Sequence, residues 1–129
     1  MTRFSACLLA AGALALAALP ASAQTDKRHL MHYLTCDRSP WSAYMTGYQF
    51  HHAPERGPGH MDSVIHYLTW DGSCWEARWN TGLRLWEHTP LTRPGPMHRG
   101  VILNYLGWRN EKLTAKKTFD DYFIVTRSY

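Results

Sequence analysis

The decapeptide HYLTCDRSPW at 32–41 is written again, nearly unchanged, as HYLTWDGSCW at 66–75, and a weaker copy, NYLGWRNEKL, stands at 104–113. Three related segments in so short a chain restrict the fold to an assembly of similar supersecondary units. The likeness extends beyond the decapeptides. Ala43, Ala77 and Ala115 fall at corresponding places, and FHHAP at 50–54 corresponds to WEHTP at 86–90. Both of these lead through Pro/Gly-rich links to a histidine, His60 or His98. The unit is about 34–38 residues long, a length that signals stacked or symmetry-related elements.

Within a unit the pattern is that of β-strands. Trp75, Ala77 and Trp79 share one parity while Glu76 and Arg78 take the other, which marks a half-buried strand. Asp71-Gly72-Ser73 before it supplies a side-chain acceptor and a residue free to take positive φ, so a hairpin is predicted there. The opening segment of the second unit is ambiguous, because Met61, Val64, Ile65 and Leu68 also fit one face of a short helix. The fold expected is mainly β: about nine antiparallel strands in three units (29–54, 62–90 and 101–129), closed as a small barrel or a trefoil-like arrangement. A fourth strand per unit would have to come from the Pro/Gly-rich links. The alternative is an α+β domain with a short helix opening each unit.

Residues 1–23 read as a cleavable signal peptide, with Arg3 followed by a run of small and apolar residues and the PASA stretch before Gln24. The apolar run falls short of the roughly 20 residues that span a bilayer. Taking 23 from 129 residues leaves 106, one domain spanning 24–129, expected in the periplasm or outside the cell. Cys36 and Cys74 remain in it and are expected to form a disulfide in an oxidising compartment. Removing Arg3 from 14 basic residues leaves 13 against 10 acidic ones. The excess is small and dispersed, which argues against nucleic acid as a partner.

Aromatic and histidine side chains are the candidates for function. Tyr33, Tyr67 and Tyr105 recur in all three copies and are expected to fill equivalent core sites, with Trp75 and Trp79 on the apolar side of their strand. Trp70 stands at a hairpin end where its counterparts are Cys36 and Trp108, so it caps the core or lines a pocket. Trp86 shares its parity with Arg84 and His88, a mixed face that points to ligand contact. Trp70, Arg84, Trp86 and His88 are therefore the predicted ligand-binding set. His52, His60, His88 and His98 are the predicted metal ligands, neutral imidazoles being suited to zinc or copper, although no motif with metal-ligand spacing is present.

Nothing in the chain matches a nucleophile elbow or a phosphate-cradling glycine loop. Asp37 and Asp71 occupy turn positions, and Glu76 with Glu87 is the one carboxylate pair that suggests a glycosidase. The leading expectation is an exported binding or interaction module for a saccharide, a cell-envelope polymer or an exported protein. A histidine-based metal-binding protein is the second, and a small secreted hydrolase the third.

Overall fold

Strand-forming alternation runs through nearly the whole chain in this computed structural model, which describes residues 23–47, 49–118 and 120–128. Apart from Ala23, the leader lies outside the described residues. Twelve strands and no helix occur among them: β1 (Ala23–Arg28), β2 (Met31–Leu34), β3 (Pro40–Thr46), β4 (Gln49–Pro54), β5 (His60–Asp62), β6 (Val64–Leu68), β7 (Cys74–Asn80), β8 (Leu85–Pro90), β9 (His98–Gly100), β10 (Ile102–Leu106), β11 (Lys112–Lys117) and β12 (Phe123–Ser128). The short helix considered for 61–68 is not formed. Met61 ends up on β5 and Val64, Ile65 and Leu68 on β6, with Ser63 between them.

The strands do not close into a barrel, which corrects that expectation. They divide into three four-stranded antiparallel sheets: a first of order β2-β3-β4-β5, a second of order β6-β7-β8-β9, and a third of order β1-β12-β11-β10. In the first two sheets the fourth strand does come from the Pro/Gly-rich link, as the three-residue β5 and β9. Such short edge strands, flanked by proline and glycine, offer little unpaired backbone to another chain. The third sheet is completed from the other end of the sequence, with β1 lying against β12 from Ala23↔Ser128 to Arg28↔Phe123.

Alternate side chains of each sheet point into one core. Met31, Tyr33, Ala43, Met45 and Phe50 enter from the first sheet; Ile65, Tyr67, Ala77 and Trp86 from the second; Leu103, Tyr105, Leu113, Ala115, Phe123 and Val125 from the third. The opening strands β2, β6 and β10 contact one another. Trp86 lies between two further rings, with centroids 6.3 Å from Phe50 and 6.4 Å from Phe123. One aromatic from each sheet thus fills the centre, where large rings bury the most apolar area per residue. A second cluster, Leu34, Leu68, Leu106 and Cys74 with Cys36 against it, closes one end.

The loops at that end share one conformation for a chemical reason. In each, an amide donates across the turn, from Thr35 to the Ser39 carbonyl, Thr69 to Ser73 and Gly107 to Glu111, and the fourth residue takes positive φ: Arg38 at 65°, Gly72 at 82°, Asn110 at 60°. Asp37 and Asp71 accept the amides of Ser39 and Ser73, as expected of turn aspartates. The second residue of each loop then reaches a neighbouring sheet. Cys36 pairs with Cys74 as a disulfide with Cα atoms 5.1 Å apart. The Trp70 indole N–H donates to the Leu113 carbonyl at 2.9 Å, and that of Trp108 to the Trp41 carbonyl at 2.8 Å. First sheet grips second, second grips third, and third grips first.

Candidate functional site

Inward-facing parity ends in charge at one margin of the third sheet. Along β12 the buried Phe123 and Val125 are followed by Arg127; before Leu113 on β11 the same parity reaches Glu111; on β1, Asp26 and Arg28 lie opposite Val125 and Phe123. A cleft of about 240 Å³ opens there, lined by Arg28, His32, Trp108, Arg109, Glu111, Leu113 and Arg127. A smaller hollow of about 60 Å³ continues it, sharing Arg28, Leu113 and Arg127 and adding Asp26 and Val125.

Local bonds hold these groups in place. Arg28 forms a two-pronged pair with Asp26, both N–O distances being 2.9 Å, and this hydrogen bonding pushes its already high pKa higher. Arg127 lies 3.6 Å from Glu111, whose other oxygen accepts the Arg109 amide at 2.8 Å. The Arg109 guanidinium has no partner among the described residues. His32 donates to or accepts from the Ser42 hydroxyl at 2.8 Å and meets the Trp108 ring edge to face, with centroids 4.7 Å apart. Burial, and then the Arg28 charge, lower the His32 pKa, so the imidazole is neutral at neutral pH and adds positive charge only on acidification. The cleft therefore offers three guanidinium groups, two of them oriented by carboxylates, beside an indole face.

The four residues of the predicted ligand set lie in different surroundings and do not share one exposed face. Trp86, expected to meet a ligand, is wholly buried at 0 % exposure, and His88 beside it is 3 % exposed. Arg84 belongs to the exposed β7–β8 turn at φ 54°, where its amide donates to the Asn80 carbonyl. The mixed face inferred from 84, 86 and 88 thus does not exist, because β8 begins only at Leu85. Trp70 is half-buried, its indole N–H committed to Leu113.

The four histidines predicted as metal ligands do not converge either. Among the described residues no group of three or more His, Cys, Asp or Glu side chains could hold one ion. They form two pairs, His52 with His60 and His88 with His98. Glu76 and Glu87, weighed as a carboxylate pair, are engaged separately with His66 at 3.2 Å and Arg99 at 3.2 Å.

Comparison of the chain with family models, curated proteins and solved structures finds no match. The case for function accordingly rests on the cleft's own chemistry. Its residues went unnoticed in the sequence because Arg28, Arg109 and Arg127 are scattered and only the β1–β12 pairing gathers two of them. The one available signal was Trp108, visible as the counterpart of Trp70.

Proposed function

We propose that this chain is an exported binding module that takes an acidic group of a saccharide or envelope polymer in the arginine-lined cleft. The observation that carries it is the convergence of Arg28, Arg109 and Arg127 beside Trp108 on one cleft. Guanidinium forks match carboxylate, sulfate and phosphate oxygens two at a time, and an indole packs against the apolar face of a sugar ring. Export is supported by the signal-like leader together with the Cys36–Cys74 disulfide. The scaffold is best understood as three copies of one unit, a reading supported by the matching positive-φ turn residues and by the grip of residues 36, 70 and 108 on neighbouring sheets.

The test is calorimetric titration with a polyuronate, a sulfated glycan and a neutral glucan, at low and at physiological salt. Acidic glycans should bind and the neutral one should not, and Arg109→Ala should weaken binding by about tenfold, the worth of one charge-assisted contact. Equal binding of the neutral glucan, or unchanged affinity in Arg109→Ala, would remove the proposal.

A further inference from the structure

One cross-strand ladder differs among the sheets in a way that concerns metal ions. In the first sheet Ala43, His52 and His60 lie side by side on β3, β4 and β5; in the second Ala77, His88 and His98 do so on β7, β8 and β9. The corresponding ladder of the third sheet reads Ala115, Val125, Asp26. The paired imidazole centroids are 5.6 Å apart in the first sheet and 5.2 Å apart in the second. Two imidazoles bound to one ion through ~2.0–2.1 Å bonds at a tetrahedral angle place their ring centres about 5 Å apart. Both pairs already stand near that separation.

A second observation concerns the inner histidine of each pair. Among the described residues, Nε2 of His52 and Nε2 of His88 are buried with no partner within hydrogen-bond distance, as is the Trp86 indole nitrogen in the core, and the Gly100 backbone lies beside the His88 ring. A buried polar atom left without a partner is rare in folded proteins, and an ion is one of its ordinary explanations. The other ring nitrogen of His88 is engaged, Nδ1 lying 3.2 Å from the Tyr67 hydroxyl, the kind of outer contact that fixes the orientation of a ligating imidazole. The outer members, His60 and His98, are exposed and give an ion a route from solvent.

We propose that each pair binds one divalent cation of borderline softness, zinc or copper(II), with water completing its coordination, so that the chain takes two ions and the third sheet none. Borderline cations prefer imidazole nitrogen, whereas calcium and magnesium prefer oxygen. The proposal is independent of the arginine cleft.

Native mass spectrometry of the chelator-treated chain, titrated with zinc or copper(II), reads the stoichiometry. Copper(II) also quenches indole emission at short range, and the indoles are close, with Trp41 centred 5.8 Å from His60 and Trp75 centred 5.1 Å from His98. Two equivalents are expected for the unaltered chain, one for His60→Ala or His98→Ala, and none for the double variant, with His51→Ala and His66→Ala retaining two. Both truncated side chains are exposed, so circular dichroism should be unchanged. In a second measurement, zinc should shift the Nε2 resonances of His52 and His88 in the unaltered chain. Absence of binding, retention of both ions by the double variant, or loss of an ion from either control would overturn the assignment.

Discussion

Gly107 shows how closely a single position can be fitted. A methyl group there would stand 2.6 Å from Cδ of Glu111 and 2.8 Å from Cδ1 of Leu113, so the loop could admit it only by moving the side chain that borders the cleft. Gly107→Ala should therefore cost about 1–3 kcal/mol in urea unfolding, the range of overpacked sites. Asp71 tests electrostatics at the same scale. The Ser73 hydroxyl and amide, and then Arg93, hold its carboxyl down from 3.8 to about 2. A depressed carboxyl stabilises the fold fully above its unfolded pKa and loses that contribution as pH falls through the folded value. The melting temperature of Asp71→Asn should thus lie below that of the unaltered chain at neutral pH, and the difference should vanish between pH 3.8 and about 2. Single residues also show where sequence pattern misleads. Trp86 alternates with Arg84 on paper, but a turn residue has no strand parity, and the indole proves to be the central ring of the core.

At the level of elements, the turns explain why so much of the strand order was legible. Asp71-Gly72 announces its hairpin because glycine takes the positive φ that the loop requires, whereas Arg38 and Asn110 hold the same conformation without that advertisement. Arg38→Gly should change stability by less than about 1 kcal/mol, since relief of the left-handed strain, about 1–2 kcal/mol, is offset by the freer unfolded chain and by loss of the hydrogen bond that Arg38 donates to the Asn110 side chain. Denaturant titration with an unchanged m-value would check it. The strands themselves followed from alternation, as at Trp75, Ala77 and Trp79, and the three tyrosines are buried as expected. Two elements were harder to see. The three-residue β5 and β9 are too short to show a period, and β1, rich in charge, carries no apolar alternation at all. The cleft depends on β1, and this is why its arginines escaped notice.

Across the whole molecule, three sheets with one shared core are held by contacts far apart in sequence. Cys36 and Cys74 join the first two sheets across 38 residues, a loop whose closure entropy in the unfolded chain amounts to about 4 kcal/mol. Reduction, or the Cys36→Ala/Cys74→Ala variant, should lower the unfolding free energy by roughly 2–4 kcal/mol while leaving far-UV circular dichroism intact, because the corresponding grips by Trp70 and Trp108 remain. Retention of full stability without the bond would mean that the indole contacts and the core suffice.

The pairing of β1 with β12 leaves Ala23 directly across from Ser128, so the first and last of the described residues stand side by side in one ladder. A few linking residues would make that junction an ordinary hairpin, and new termini placed in the exposed stretch 91–97 would interrupt no strand. Such a circular permutant should fold and melt as one cooperative body, since the linear order of the segments matters less here than the ring of neighbours they form.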